Sequence, residues 1–414
     1  MKVLRVLFIS LVGLACAFLS ACGGGSSTPS VPPNTITTTG QNVVSITANG
    51  GPQGNYVDAM FASVTVCVPG TTTCQTVDDV LVDTGSVGLR LLASELTSVT
   101  LPQQTATDGN SVAECLQFLG SYTWGPVQTA DIELGSEKAS SVPIQVLSDT
   151  LPGFGTPLSC SDVSGASSSA DTQSSLGANG ILGVGLYPQD CGSPCPAAAN
   201  MYYECPTSGC VAVSQNLAQQ VANPVALFAT DNNGVIIELP AVSASGEATL
   251  TGSMVFGIGT QTNNALGSAT VYTVDAGSGN FTTIFDGTTY TNTAFLDTGS
   301  NGYFFLDNSI PQCSDFPGFY CPTSTVNLTA TNQGTSDQGS GTGSGTVNFS
   351  IANTDTLFSN ASDFVFGDLG ATIIPSGSIP NYFDWGLPFF FGRNVYVSID
   401  LTTAPGGATP YWAY

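Results

Sequence analysis

The chain has 414 residues, 42% of them hydrophobic and only 8% charged, with five basic against 29 acidic residues and a formal net charge of -24. Such a surface repels phosphate backbones, which argues against nucleic acid as a partner. Histidine is absent, so Ser-His and Cys-His nucleophile systems and the usual zinc ligand sets drop out, leaving carboxylates as the foremost general acid and base candidates.

Residues 1–21 carry Lys2 and Arg5, an apolar run from Val6 to Leu19, and the small pair Ser20-Ala21. That order is expected of an export signal, removed from the mature protein. The run Leu19-Ser20-Ala21-Cys22 resembles the bacterial lipobox, which implies cleavage before Cys22 and a membrane anchor through lipid on that residue. Gly23 follows in place of an aspartate, which favours the outer membrane, with the periplasmic and surface faces both open. Residues 22–40, rich in Gly, Ser, Thr and Pro, read as a flexible tether.

From Gln41 the pattern turns strand-like. Tyr56 to Val68 alternates, turns at Pro69-Gly70, and leads to Val80-Leu81-Val82-Asp83-Thr84-Gly85-Ser86. An apolar strand ending in Asp-Thr-Gly-Ser sets a carboxylate at a turn, where backbone and hydroxyl donors hold it. Between Glu114 and Gly135 a hairpin carries Phe118, Tyr122 and Trp124. Two strand-like runs, 225–229 and 235–239, flank Asp231-Asn232-Asn233-Gly234, read as a turn, and the first unit is expected to close at Pro240. Residues 241–414 repeat the plan, with a strand over 269–274, a hairpin around Phe285-Asp286-Gly287, and Ala294-Phe295-Leu296-Asp297-Thr298-Gly299-Ser300. The second quartet comes 214 positions after the first (297 minus 83). Residues 331–346, nearly all small and polar, read as a mobile surface loop.

Beyond Cys16 and Cys22 stand ten cysteines, an even number that in an exported chain points to disulfides. Local pairs are expected for Cys67 with Cys74 and Cys313 with Cys321, then Cys115 with Cys160. Pairing among Cys191, Cys195, Cys205 and Cys210 stays open, with a four-cysteine metal site as the alternative, although no metal is expected in that compartment.

The two quartets, together with Asn179-Gly180-Ile181-Leu182-Gly183-Val184-Gly185, the strand and turn Gly252 to Gly259, and the run Trp385 to Asp400, stand in the order that they have in the pepsin-like aspartic peptidases, which the chain resembles. The resemblance implies a mainly β, bilobal pepsin-like fold, two double-psi-type barrel lobes over 41–240 and 241–414 with a cleft between. It implies Asp83 and Asp297 as a catalytic pair around a water. Gly85 and Gly299 would permit tight turns, Ser86 and Ser300 would donate to the outer oxygens, and Thr84 and Thr298 would cross-bond the loops. An endopeptidase working on a peptide or protein substrate in acid, as a monomer without a cofactor, is the implied activity. The flap departs from the family: Phe118 stands near the position of its usual Tyr-Gly pair, with Tyr122 and Trp124 close by. Pro388 stands where the family usually has glycine, so a differently built threading loop is expected. The alternative is a non-catalytic pepsin-like binding or envelope-structure protein. A glycosidase also uses two carboxylates, but the ordered motifs speak against it.

Overall fold

Val-, Ile- and Thr-rich segments broken by Gly, Pro and Asn turns form strands almost throughout, as β-branched residues favour. The computed structural model describes residues 34–118, 120–161, 168–193, 195–336, 343–372 and 381–414, all in one compact unit. The expected leader and the lipid-bearing Cys22 lie outside the described residues.

The first half supplies β1 (Val43–Asn49), β2 (Ala59–Cys67), β3 (Cys74–Asp83), β4 (Val87–Leu92), β5 (Ser111–Phe118), β6 (Ser121–Leu134), β7 (Glu137–Leu147) and β8 (Gly180–Val184). Six of them close a ring through hydrogen bonds: β2 to β3, β3 to β8, β8 to β4, β4 to β7, β7 to β6, and β6 back to β2. Closure removes exposed strand edges, and the inward residues Val64, Val80, Val82, Leu89, Leu91 and Ile144 form an apolar core.

The second half begins with β9 (Gly234–Leu239) and β10 (Leu250–Phe256). Then come β11 (Phe281–Phe285), β12 (Thr288–Asp297), β13 (Tyr303–Phe304), β14 (Val326–Gln333), β15 (Ser344–Ile351), β16 (Phe383–Gly386), β17 (Arg393–Ser398) and β18 (Tyr411–Ala413). A seven-stranded sheet, ordered β15-β14-β11-β12-β16-β13 and ending on Gly370–Ala371, wraps an aromatic core of Phe285, Phe305, Phe349, Phe383 and Trp385. The two halves are joined by strand pairing: β1 runs antiparallel to β10 with Val43 opposite Val255, and β9 lies between β10 and β17. The molecule therefore has the mainly β, bilobal pepsin-like architecture.

Three expectations are corrected. Residues 34–38, assigned to the tether, are fixed: Asn34 Nδ2 donates to the carbonyls of Leu239 and Arg393 at 2.9 Å each, and Thr37 N donates to Glu238 Oε2 at 2.5 Å. Backbone carbonyls left open at a strand end outweigh local flexibility there. The supposed loop 331–346 has strand at both ends, because Thr331 pairs with Thr346 in a regular β14–β15 hairpin whose threonines and asparagines suit an exposed sheet face; residues 337–342 lie outside the described ones. The run 225–229 is not a strand, since Asn223 caps a 3-10 turn with Pro224 at its start, where a missing N–H costs nothing.

All ten cysteines pair, as 67–74, 115–160, 191–195, 205–210 and 313–321. This settles the open cluster as two short-range bridges and consumes the thiols that a metal would need. Among the described residues, Cys313, Cys321 and Asp355 also come close together, but both sulfurs are in a bridge.

Candidate active site

Each Asp-Thr-Gly-Ser quartet ends a buried strand, β3 or β12, and the two ends meet. Asp83 Oδ1 accepts from Gly85 N at 2.8 Å, and Asp297 Oδ1 from Gly299 N at 2.8 Å. Ser86 Oγ donates to Asp83 Oδ2 at 2.5 Å, and Ser300 Oγ to Asp297 Oδ2 at 2.9 Å. Beneath them Thr84 N donates to Thr298 Oγ1 and Thr298 N to Thr84 Oγ1, both at 3.0 Å. The hydroxyls then donate onward, Thr84 to the Leu296 carbonyl at 3.3 Å and Thr298 to the Val82 carbonyl at 2.7 Å. Both threonines are buried, and the amide and hydroxyl of each are satisfied inside the protein. The geometry gives the six supporting residues the contacts that their types anticipated.

The glycines matter for closeness. A Cβ on Gly85 would lie 2.5 Å from Asp297 Cγ, and one on Gly299 would lie 2.7 Å from Asp83 Oδ1. Each turn therefore presses its bare backbone against the opposite aspartate. The two carboxyl groups thus meet across Gly299, whose added Cβ would also lie 3.1 Å from Asp297 Oδ1, and burial followed by the Asp83 charge raises Asp297 to about 8. Two like charges in contact resist joint ionisation, so the pair retains one proton up to about that pH.

Behind each aspartate runs a strand that threads the loop. Asp83 lies beside Gly183 of β8, and Asp297 beside Gly386 of β16, in parallel register. A Cβ on Gly386 would meet the Gly302 carbonyl at 2.2 Å. The glycine that this lobe needs is thus Gly386, and the placing of Pro388 at that position is corrected: that proline lies two positions further on, within the 3-10 turn Leu387–Phe390. Its fixed φ suits the start of such a turn. The halves are alike as far as this glycine and differ beyond it, since β8 runs on to Val184 whereas this lobe enters the 3-10 turn that holds Pro388, so the loop is built differently, as expected.

The β5–β6 hairpin stands over a cavity of about 290 Å³ lined by Asp83, Asp297, Phe118, Leu81, Ile181 and Tyr56. A second hollow of about 240 Å³, with Tyr187, Phe295 and Trp412 among its walls, lies on the other side of the Thr84-Gly85 turn. Of the three aromatic residues expected at the flap, Phe118 faces the cleft. Trp124 does not: it is fully buried, donates Nε1–H to the Phe154 carbonyl at 2.7 Å and packs edge-on against Tyr203. Tyr122 is also buried, and its hydroxyl donates to Asp149 at 3.0 Å. Both belong to the hairpin's packing because they stand on strand positions whose side chains enter the small core behind it.

Tyr56 is the aromatic residue that sequence reasoning missed. It comes from the loop between β1 and β2, rests against Gly177, and is raised to about 12 by burial and then by the charges of Asp83 and Asp297. Its neighbour Asp58 clamps this loop to the second half, with Asp58 N donating to the Phe364 carbonyl and Phe366 N to Asp58 Oδ1, both at 2.7 Å. No local motif marks Tyr56; only this long-range clamp brings it to the cleft.

A family model described as "Protein of unknown function (DUF3443)" matches residues 38–414. No curated protein matches in sequence. Among solved structures, the chain is similar to an aspartic proteinase from Irpex lacteus, with 14% identity over 90% of this chain and 96% of that one, at a TM-score of 0.48.

Proposed function

The chain belongs to the DUF3443 family, and on that premise we propose that it is an aspartic endopeptidase, acting in the cell envelope to which the expected export signal would deliver it. The observation that carries this reading is the meeting of Asp83 and Asp297 on the floor of an open cleft, where a Cβ on Gly299 would touch both carboxyl groups; burial and the Asp83 charge raise Asp297, so that the pair shares one proton. With that proton on Asp297, a water between the carboxyl groups gives its proton to Asp83 as its oxygen attacks the amide carbon. Asp297 then gives its proton to the carbonyl oxygen. Collapse of the resulting gem-diol returns that proton to Asp297 and breaks the C–N bond, and Asp83 passes its proton to the leaving nitrogen, which restores the pair. The donors to each outer oxygen fix the carboxyl planes so that only the inner faces exchange protons. A wall of Leu81, Phe118 and Ile181 suits an apolar side chain next to the cleaved bond.

The test is cleavage of an unfolded protein substrate across a pH series by the wild type, Asp83→Asn and Asp297→Asn. Either substitution is expected to lower the rate by about 10³-fold, the scale of general acid–base catalysis, and the wild-type rate is expected to fall as pH rises through about 8 with loss of the shared proton. Equal, negligible cleavage by all three proteins would reject the peptidase reading and leave a non-catalytic binding cleft.

A further inference from the structure

Among the described residues the basic side chains are Arg90, Lys138 and Arg393, and the first of them is fully buried beside the site. Arg90 stands on β4, shortly after the quartet that ends at Ser86. Its Nη1 donates to the carbonyl of Val87, the residue that follows the quartet, at 2.6 Å. Its Nη2 donates to Glu114 Oε1 at 2.6 Å and to Asp190 Oδ2 at 2.9 Å. Glu114 belongs to β5 of the hairpin, next to the Cys115–Cys160 bridge, on the same strand as Phe118, which lines the cleft. The route from Phe118 to Asp83 therefore runs along β5, through one guanidinium, and back along β4. The second quartet has Phe304 at the spacing that Arg90 has from the first, so the connection belongs to one half alone.

Two acids converge on this one cation. Both take the same nitrogen, so they lie side by side, and the side chains of all three residues are 2% exposed or less. Tyr202, opposite Glu114 in the antiparallel pairing of Tyr202–Cys205 with β5, donates Oη–H to Asp190 Oδ1 at 2.7 Å and accepts from Val221 N at 2.6 Å. β7 contributes Gln145, a neutral side chain whose Nε2 donates to the Glu114 carbonyl at 2.7 Å. The other basic side chains are engaged elsewhere, Lys138 with Glu133 at 3.2 Å and Arg393 over the Phe389 ring. Two ionised carboxylates would leave this buried cluster with a negative charge that nothing offsets, which is costly. One proton removes it. Burial first, then the Glu114 charge, hold Asp190 well above the ordinary carboxylate range.

We propose that Arg90 is a positioning residue, a latch that sets the hairpin against the turn of Asp83 for as long as Glu114 and Asp190 keep one proton between them. Arginine suits the place because its rigid fork serves the Val87 carbonyl with one arm and both acids with the other. The direction of the pH effect follows from the charges. A carboxyl group that is raised in the folded protein contributes fully below its unfolded value, and that contribution is lost as pH rises through the folded one. Once the proton leaves, the two carboxylates repel each other across Nη2, the root of the hairpin loosens, and Phe118 loses its fixed place over the cleft.

The kinetic consequence rests on the peptidase reading, but the mobility of the hairpin does not, so the test separates them. Amide hydrogen exchange of the full chain, read by mass spectrometry from about pH 5 to about pH 9 and corrected for the intrinsic rate at each pH, compares wild type, Glu114→Gln and Arg90→Lys. β14 serves as the reference for loosening of the whole molecule. In the wild type, exchange over residues 111–126 is expected to rise about 10-fold relative to β14 across that range. Glu114→Gln, which keeps an acceptor for Arg90 and leaves one carboxylate to one guanidinium, is expected to hold the low rate throughout. Arg90→Lys, which keeps the charge but not the fork, is expected to exchange fast in the hairpin at both ends of the range. In cleavage assays KM is expected to rise with pH in the wild type and not in Glu114→Gln, while kcat falls in both as the catalytic pair loses its proton. A flat wild-type hairpin, a rise that persists in Glu114→Gln, or a folded Arg90→Lys with wild-type protection would overturn the proposal. If the wild type cleaves nothing, the peptidase reading fails while exchange still decides the latch. If Arg90→Lys does not fold, wild type and Glu114→Gln decide alone.

Discussion

Asp83 and Asp297 hold each other at a distance that their glycines set, and the cleft is completed by a phenol from elsewhere. Tyr56 lines the same cavity as Asp83 and Asp297 and is partly buried, which makes its hydroxyl a candidate donor to a bound substrate or to the charged intermediate. Tyr56→Phe is expected to reduce kcat/KM about 10-fold, the worth of one hydrogen bond to a charged group, with the denaturation midpoint unchanged; steady-state kinetics beside urea unfolding check this. At this scale the sequence was legible where chemistry is local. Each Asp-Thr-Gly-Ser carries its own donors within three residues, so the carboxylate at a turn could be read from the run itself, while the crossed threonines were implied by the resemblance. Tyr56 could not, because what makes it special is its place in one cleft with Asp297, more than 200 positions away.

The hairpin over the cleft is anchored at its root. At the root Glu114 of β5 meets Arg90 of β4, Gln145 Nε2 of β7 donates to the Glu114 carbonyl at 2.7 Å, and Tyr202 Oη donates to Asp190 at 2.7 Å. One position along, Cys115 bridges to Cys160, closing a loop of 45 residues. Loop-entropy bookkeeping gives such a bridge about 3–4 kcal/mol. The double variant Cys115→Ala with Cys160→Ala is therefore expected to lose about that much in urea unfolding and to loosen the hairpin. Removing the Cys191–Cys195 bridge, whose partners are only four apart, is expected to cost less. The pattern of cysteines made Cys115–Cys160 readable as a pair, but of the aromatic residues only Phe118 faces the cleft, while Tyr122 and Trp124 pack behind the hairpin. Phe118, Tyr122 and Trp124 lie within seven positions of one another, and the tip position decides which face each one takes; a register shift by one exchanges the faces. The same dependence on register moved attention to Pro388, when the glycine that passes behind Asp297 is two residues earlier.

Across the whole molecule, buried acids outnumber the cations that might neutralise them. Asp58, Asp190 and Asp384 are pushed well above the ordinary carboxylate range, chiefly by burial, while Asp368 is raised to about 6 and Asp297 to about 8. Asp131 and Asp275 alone are lowered, held by backbone and serine donors. The sign follows directly: a raised carboxyl binds its proton more tightly in the folded state, so its contribution is complete below the unfolded value near 4 and is lost as pH rises through 6 to 8. Self-repulsion from a formal charge of -24 acts in the same direction. The melting temperature is expected to be higher at about pH 4.5 than at about pH 8, by about 5 °C or more, as calorimetry at the two values would show; equal temperatures would mean that these acids are ionised in the folded state. Composition alone shows the excess of acid; only burial reveals which carboxyl groups matter.

The pairing of β1 with β10 sets an order of events for synthesis and export. A chain that crosses a membrane from its N-terminal end shows its first strand long before Leu250–Phe256, the segment that will cover that strand, has emerged. Asp297 arrives later still, and Gly386, which must pass behind it, near the close. Until then one aspartate is exposed without its counterpart, and hydrolysis has no machinery. For the proposed peptidase, were it exported as the leader leads one to expect, that timing would itself keep the centre silent in transit.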